Sequence, residues 1–428
     1  MLERLFKLKE HGTDIRTEMI AGLTTFLTMA YIIFVNPQIL SETGMDRGAV
    51  FVATCIAAAI GCFIMGFVAN YPVAQAPGMG LNAFFTYTVV FQMGYSWQVA
   101  LAAVFLSGVC FILLSLFKVR QWIINSIPVS LRTGITAGIG MFLALIALEN
   151  SQIVVDHPAT LVALGDITAF GPAMAALGFF LTIGLVNRGV KGAVMLAILI
   201  VTTISVLAGH VDYNSVISAP PSLMPTFMQL DFAGAFEVGL ISIVFAFLFV
   251  DLFDTAGTLV GVAQKANLMD ENGNVPRLGR ALFADSTATS VGALLGTSNT
   301  TSYIESVSGV AEGGRTGLTA VVVGLLFLLA LFFSPLAGMV PAYATAGALF
   351  YVAILMMSGL VNVNWRDLTE AAPVGVVCLM MPLTYSIASG IGLGFISYCA
   401  IKALSGKAKD VHISIWVLAV LFLLKFYM

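Results

Sequence analysis

Two acidic residues that share one face of a predicted helix lie inside a long apolar stretch of this chain. Asp251 and Asp254 are one helical turn apart between Leu240 and Ala263, and Glu305 follows in a short segment rich in Ser and Thr. A charge at the centre of a bilayer costs at least about 2.5–3.5 kcal/mol, so acids at such positions usually mark the path of an ion or a substrate. Because two neighbouring carboxylates repel each other, one of the pair should hold a proton near neutral pH, which suits a proton carrier.

The alternative for each aspartate is a structural role, in which nearby hydroxyl groups satisfy an acid that packs helices together. Asp285 lies in a later apolar run among Ser and Thr residues, and we expect it to be a structural acid that bridges helices. Glu305 has Ser302 and Ser306 as close neighbours and is the stronger candidate for contact with a ligand.

The composition places the chain in the membrane. Of its 428 residues, 59% are hydrophobic and only 10% are charged, whereas soluble domains carry about 25% charged residues. At about 20 residues per helical span, the length allows roughly fourteen crossings. The five cysteines lie in apolar runs and predict no disulfide framework, and the sequence has no basic cluster that would bind nucleic acid. We therefore expect an all-α polytopic membrane protein that is surrounded by the lipid bilayer.

Basic residues indicate the orientation. Lys and Arg precede the first apolar run, as at Lys7 and Arg16, and recur in every second loop, as at Arg188 and Lys265. The alternate loops, such as residues 149–166, are nearly free of them. Because cytoplasmic loops carry the excess of Lys and Arg, we expect a cytoplasmic N-terminus. The N-terminal segment has no cleavage-site pattern, so the first run is predicted to be a retained span.

The spacing of the apolar runs predicts an inverted repeat. Seven runs in each half is an odd number, so the second half must enter the membrane from the opposite side. Asn82 and Glu305 are 223 positions apart, and the same offset carries residue 18, at the start of the first run, to residue 241 in the eighth. The final run, residues 413–428, exceeds this count, and the sequence leaves its placement open.

Two of the runs are interrupted at matching positions. The third, residues 72–85, has two prolines and two glycines in its first half, which predicts extended backbone and then a helix from about Gly80. The tenth, residues 296–306, opens with hydroxyl-rich residues, which predicts an extended stretch and a half-helix from about Ser302. Irregular backbone at membrane depth persists only where protein buries it or it lines a cavity, although Gly and Pro also permit close helix packing. We expect a central cavity, with Asn82 and Glu305 facing each other across the pseudo-two-fold axis.

Acids and amides in such a cavity define the chemistry of its ligand. Carboxylates accept hydrogen bonds and disfavour anions, and Asn82 offers both a donor and an acceptor. Phe84 and Tyr303 are close enough in sequence to add an aromatic face. A flat heterocycle with several N–H groups suits this set, and the residues by themselves lead no further.

Four stretches of the sequence carry a resemblance to a known family. They are TEMIAGLTTFLTMAYIIFVNPQIL around residues 18–40, APGMGLNAFF at 76–85, VDLFDTAGTLVGVA at 250–263 and TSYIESVSGVAEGGRTGLTAVVVG at 301–324. In these motifs the chain resembles the nucleobase–cation symporter superfamily of the nucleobase–ascorbate transporter type, in its AzgA-like branch of purine nucleobase permeases. The similarity runs from about residue 2 to the C-terminus, and the combination of motifs is specific.

The resemblance implies fourteen transmembrane segments in two inverted repeats of seven, with short strands in the broken third and tenth segments. Segments 1–4 and 8–11 would form a core domain, and segments 5–7 and 12–14 a gate domain. The corresponding ranges are 1–17 for the cytoplasmic N-terminus, 18–118 and 237–334 for the core, 119–209 and 341–405 for the gate, and 406–428 for a C-terminal apolar helix.

The resemblance further implies uptake of adenine, guanine or hypoxanthine by alternating access across the plasma membrane, which is the inner membrane in bacteria. The coupling ion would be a proton, with sodium as the alternative, and no other cofactor is expected; a homodimer is the assembly typical of the family. Matching positions imply substrate binding by Asn82, Phe84, Asp251, Thr255, Tyr303 and Glu305, and proton coupling by Asp251, Asp254 and Glu305.

Other functions suit the sequence less well. The alternative is an anion or other small-solute transporter that shares the same inverted-repeat fold, but the acid at Glu305 would repel an anion. A channel needs polar residues along a whole pore, whereas intramembrane polarity here is concentrated at one depth. A hydrolase needs a nucleophile with a base or metal ligands, and the four histidines all fall in predicted loops or at the ends of runs. We therefore predict a transporter and not an enzyme, and leave the preferred purine open.

Overall fold

A computed structural model describes residues 2–116, 127–237, 240–266, 268–269 and 275–427. Within its helices, a few side chains also fall outside the description, and that of Asp254 is one of them. The predicted domain boundary between residues 118 and 119 lies outside the described residues.

The described residues of the first half form nine helices and three short strands, with two π-helical turns at Met65–Ala69 and Phe84–Gln92. In chain order they are α1 (Leu2–Phe6), α2 (Ile15–Met29), α3 (Ile32–Ser41), α4 (Arg47–Ile64), β1 (Gln75–Pro77), α5 (Met79–Ala83), α6 (Trp97–Leu116), α7 (Val129–Asn150), β2 (Val154–His157), β3 (Leu161–Leu164), α8 (Phe170–Asn187) and α9 (Ala193–Leu207).

The second half has a similar order of spanning elements, and its described residues contain one short strand. It contains α10 (Phe232–Glu237), α11 (Leu240–Lys265), α12 (Leu278–Leu295), β4 (Thr300–Ser302), α13 (Ser306–Ala311), α14 (Gly317–Ala330), α15 (Ser334–Met339), α16 (Ala342–Met357), α17 (Leu368–Leu383), α18 (Ile387–Leu404) and α19 (Ile413–Tyr427). Short 3₁₀ turns follow α14, α16 and α18.

These elements form fourteen membrane segments. Within the described residues, eight helical stretches are long and apolar enough to cross a bilayer. The predicted count of fourteen is reached with α9, α11, α12 and α17 and with the broken third and tenth segments, β1–α5 and β4–α13; the apolar C-terminal helix α19 exceeds this count. Seven crossings per half make the two halves enter the membrane from opposite sides, so the predicted inverted-repeat fold is confirmed.

Polar residues begin several spanning helices. Asp14 and Asp46 accept hydrogen bonds from backbone N–H groups three residues ahead, at 2.8 and 2.7 Å, and so cap α2 and α4. The bond from the Thr17 N–H lowers the pKa of Asp14 below its ordinary value. Ser386 caps α18 in the same way, at 3.2 Å from the Ser389 N–H. Each cap satisfies a backbone donor that helix geometry leaves unpaired.

The two broken segments complete each other. Strands β1 and β4 pair antiparallel, with Gln75 opposite Ser302 and Pro77 opposite Thr300, and all six of their residues are buried. The Gly78 N–H donates to the Asn299 carbonyl at 2.9 Å, just beyond the paired residues. Because lipid offers no partner for backbone N–H and C=O groups, extended chain at this depth needs such pairing.

The half-helix of the tenth segment begins later than the sequence predicts. We expected it from about Ser302, but α13 starts at Ser306. Thr300 to Ser302 are held in the strand by their pairing with β1, and the Tyr303 N–H donates to the Ala74 carbonyl at 3.0 Å. The tertiary partner therefore extends the strand into residues that local preference alone assigns to the helix.

The helices pack in two groups. In the first helix group, α14 packs on α2 and α4, and α12 packs on α4 and α6, with α11 also against α6. In the second helix group, α7 packs on α16 and α17, α16 also contacts α8, and α17 contacts α18. The C-terminal helix α19 lies against α18, where the rings of Phe395 and Phe422 stack with centroids 6.1 Å apart.

Gly66 and Gly317 mark the closest backbone approach in the first helix group. A Cβ atom built on Gly317, the first residue of α14, would lie 2.1 Å from the carbonyl oxygen of Gly66, in the π-helical turn after α4. No side chain fits between two backbones at this distance. Glycine is therefore required for α14 to reach this position.

Gly317→Ala is expected to destabilise the protein by about 1–3 kcal/mol, because the backbone of Gly66 must move to admit the methyl group. The melting temperature of the detergent-solubilised protein would measure the loss. Gly375→Ala in α17 is the matched control, since a Cβ there meets no atom within 4 Å. Equal melting temperatures for the two variants would show that the approach of the two backbones does not limit stability.

Candidate functional site

A cavity of about 430 Å³ lies where the two broken segments face the second helix group. One wall consists of residues 78–80, where β1 leads into α5, and of residues 301–305, where β4 leads into α13. The opposite wall is formed by α7, at Thr136 and Leu143, and by α16, at Val352. This volume is in the range of cavities that enclose small organic ligands.

The cavity lies toward the end of the bundle that carries the N-terminus. Because an even number of crossings returns the chain to the end where it started, the fifth segment, α7, begins at the N-terminal end. The twelfth segment, α16, ends at the same end. Thr136 belongs to the first turns of α7, and residues 358–359, which also line the cavity, directly follow α16.

Glu305 carries the only carboxyl group among the described lining residues. It lies directly before α13, and the Tyr31 hydroxyl donates to its Oε1 atom at 2.5 Å. Tyr31 is fully buried in the short break between α2 and α3 of the first segment. The first and tenth segments therefore meet at this carboxyl group, beside the cavity.

Tyr303 also lines the cavity, as the sequence predicts for an aromatic face. Its hydroxyl donates to the Pro77 carbonyl at 2.6 Å, which ties the two broken segments together next to the paired strands. The ring is thus fixed in place, and its orientation does not depend on a ligand.

Asp251 is fully buried and is not among the residues that line the cavity. Its Oδ2 atom accepts from the Asn299 side-chain amide at 3.1 Å, directly before β4. The Thr255 hydroxyl lies 3.4 Å from Asp251 and 2.8 Å from Asp285 on α12. Gln75 of β1 donates to the same Asp285 oxygen at 3.4 Å, so Asp285 bridges elements as predicted. In this structure Asp251 and Thr255 therefore support the strand pair on the side that faces away from the cavity.

Asn82 and Phe84 are likewise buried away from the cavity. Asn82 accepts a hydrogen bond from the Ser298 hydroxyl, in the loop before β4. The Phe84 ring packs edge-on against Phe247 of α11, with centroids 4.9 Å apart. Among the predicted site residues with described side chains, the structure therefore brings Glu305 and Tyr303 to the cavity and leaves the others behind it.

Sequence reasoning missed two residues that position this site. Tyr31 is one, and its only signal was a polar ring near the middle of the first apolar run. Glu18 is the other, a fully buried acid at the start of α2 whose carboxylate accepts from the backbone N–H groups of Arg315, Thr316 and Thr319 at 2.8–3.2 Å. It thereby fixes the turn between α13 and α14, a contact that no short-range pattern encodes.

Comparison with known proteins decides the family. A family model described as a permease family, Xan_ur_permease, matches residues 16–393. The chain belongs to this permease family. The resemblance found in the motifs, to the nucleobase–ascorbate transporter type, is thereby confirmed.

Two similar permeases cover nearly the whole chain. Adenine permease AdeP of Escherichia coli K12 is 53% identical over 99% of this chain and 96% of its own length. Guanine/hypoxanthine permease PbuG of Bacillus subtilis 168 is 46% identical, over 99% of both chains. Among solved structures, the transmembrane domain of the cyanobacterial bicarbonate transporter BicA has a TM-score of 0.67 at 15% identity, covering 87% of this permease and 96% of that domain. The last likeness concerns the fold alone.

Proposed function

We propose that this permease takes up purine nucleobases, namely adenine, guanine and hypoxanthine, by proton-coupled alternating access across the plasma membrane. The observation that carries the proposal is a cavity beside the paired strands of the two broken segments, in which Glu305 supplies the carboxyl group among the described lining residues. The full-length similarity to adenine and guanine/hypoxanthine permeases supports the substrate class. In keeping with the resemblance, we also expect a homodimer with a cytoplasmic N-terminus.

The lining of the cavity suits a flat, neutral heterocycle. Glu305 accepts an N–H hydrogen bond, the hydroxyls of Thr301 and Ser302 both donate and accept, and the Tyr303 ring offers an aromatic surface. Leu143 and Val352 supply apolar contacts from the opposite wall. None of the described lining residues is Lys, Arg or His. The site therefore disfavours anions, which argues against the alternative of an anion carrier.

Glu305→Gln is expected to reduce purine uptake by at least about 100-fold, because the amide cannot supply the charged acceptor that a buried N–H ligand needs. Uptake of radiolabelled adenine, guanine and hypoxanthine in transport-deficient cells would measure the loss. Glu10→Gln, an exposed glutamate outside the membrane, is the control. Parental uptake by Glu305→Gln at equal protein level would remove Glu305 from the site.

The two helix groups are joined by hydrogen bonds at the end of the bundle far from the N-terminus. We name these contacts the distal seam; its residues are Gln38, Tyr87, Thr88 and Gln92 on one side and Asn150, Thr345, Thr384 and Tyr385 on the other. The Thr88 hydroxyl donates to the Tyr385 carbonyl at 2.8 Å, and the Thr345 hydroxyl donates to Gln38 at 2.9 Å. With the cavity at the opposite end, this arrangement corresponds to a transporter closed on its distal side.

An acidic residue supports the distal seam. The Asn150 amide donates to the Tyr87 hydroxyl at 3.1 Å, and that hydroxyl donates to Glu42, just after α3, at 3.2 Å. Burial raises the pKa of the Glu42 carboxyl above its ordinary value. The Tyr87 hydroxyl therefore connects the end of α7 with the end of the first segment through two hydrogen bonds.

Alternating access follows if the first and second helix groups move as the predicted core and gate. The positive-inside pattern supports a cytoplasmic N-terminal end, and with that orientation the arrangement corresponds to an inward-facing state. Opening toward the outside then requires the bonds of the distal seam to break while the walls of the cavity close on the cytoplasmic side.

Replacing Thr88 and Thr345 by valine is expected to favour the outward-facing state, because each change removes one bond of the distal seam while preserving side-chain shape. Ala147→Cys, buried beside Gln38 and Thr345, is the reporter. A membrane-impermeant maleimide added to intact cells should label it several-fold faster in the Thr88→Val/Thr345→Val variant. The same reporter with Thr203→Val is the control, because within the described residues the Thr203 hydroxyl donates to the Leu199 carbonyl of its own helix. Equal labelling rates would show that the seam does not hold this end closed.

Proton coupling is the remaining part of the proposal. A proton that neutralises one of Asp251, Asp254 or Glu305 would lower the cost of moving that acid through the membrane with the substrate. The described residues place Asp251 behind the strand pair and Glu305 at the cavity, while the role of Asp254 stays a prediction.

A proton gradient, acid outside, is expected to drive uptake into liposomes that contain the purified permease, and a protonophore should abolish accumulation. Exchanging sodium for choline on both sides should leave the rate unchanged. Accumulation that required sodium and persisted with the protonophore would reverse the assignment of the coupling ion.

A further inference from the structure

A fully buried tyrosine of the first segment donates to the carboxyl group that lines the cavity, and the sequence assigned it no role. We infer that Tyr31 is a positioning residue for substrate binding, which acts by fixing the carboxyl group of Glu305. The inference rests on the proposed role of Glu305 as the group that accepts a substrate N–H.

The backbone of Tyr31 is held on both sides. Tyr31 lies in the break between α2 and α3, and its carbonyl accepts from the N–H groups of Phe34 and Val35 at 3.0 Å each, which starts α3. Its neighbours Ala30 and Ile32 are fully buried, as Tyr31 itself is. The buried ring extends from this fixed backbone and brings its hydroxyl group to Glu305.

The hydroxyl determines which oxygen of Glu305 is available. The hydroxyl group of a tyrosine has a single hydrogen, and Tyr31 donates it to Oε1 of Glu305 at 2.5 Å. Since Glu305 lines the cavity while one lone pair of Oε1 is engaged by Tyr31, a ligand N–H is expected to bind chiefly at Oε2. Glutamate has three rotatable side-chain bonds, and this one contact removes most of their freedom before the ligand arrives.

The contact crosses between parts of the chain that are far apart. Tyr31 and Glu305 are 274 residues apart, one in the first segment and the other in the tenth. Both belong to segments that are not continuous helices at this depth, so the acid has no rigid helix of its own to orient it. The phenol supplies that orientation from a neighbouring segment. Preorganised polar groups bind more tightly because less freedom is lost on binding.

Tyr31→Phe tests the inference, since it removes the hydroxyl and keeps the ring. We expect KM for adenine, guanine and hypoxanthine uptake to rise about tenfold, with the maximal rate per folded molecule within twofold of the parent. Affinity is also measured on the monodisperse purified protein, so that reduced folding lowers the yield and not the measured dissociation constant. Tyr343→Phe is the matched control, because within the described part of the chain its hydroxyl has no hydrogen-bond partner.

The outcomes separate this inference from the proposed function. A parental KM and dissociation constant in Tyr31→Phe, together with loss of uptake in Glu305→Gln, would overturn the role of Tyr31 alone. A fall only in folded yield or maximal rate would also overturn it, because that result indicates a packing role. Parental uptake in Glu305→Gln would instead overturn the proposed site.

Discussion

The satisfaction of backbone hydrogen bonds at membrane depth is the constraint on which this structure depends. A helix meets that requirement within itself, whereas an extended segment needs a partner. In this permease the extended parts of the third and tenth segments are each other's partner, in a two-stranded sheet that is buried throughout. The point where they meet is therefore also where continuous helices stop and where a cavity and an orienting carboxyl group find room.

The acids of the first helix group have different surroundings and hence different tasks. Glu305 reaches the cavity and is oriented by a phenol. Asp251 and Asp285 lie behind the strands, where Thr255, Asn299 and Gln75 surround them. A carboxylate buried in this way holds the elements that contact it, because removing it would leave several donors unsatisfied. Glu18 does the same at the start of α14.

The sequence predicted the features that depend on local composition. The apolar runs and the loops between them predicted the number and order of the segments. The prolines and glycines of residues 72–85 predicted the break in the third segment. The same reasoning selected Glu305, because an isolated acid in an apolar, hydroxyl-rich segment is costly unless it has a function, and the structure places this residue at the cavity. The family was predicted from whole motifs and not from any single residue.

What the sequence could not predict depends on contacts between distant residues. The start of α13 at Ser306 is set by β1, which lies in the other half of the chain. The orientation of Asn82 away from the cavity depends on Ser298, and that of Glu305 on Tyr31. Spacing along one segment states which residues share a helix face, but it does not state which neighbour that face meets.

The strand pair also has a consequence for biosynthesis. Gln75 and Ser302 are 227 residues apart, so the ribosome must deliver most of the permease before the third segment meets its partner. Until then, the polar backbone groups of β1 lack their partner strand β4. Pairing between residues so distant in the chain is also slow to form. The first half is therefore an incomplete folding unit, since the backbone pairing of its third segment is completed only after the tenth has been translated.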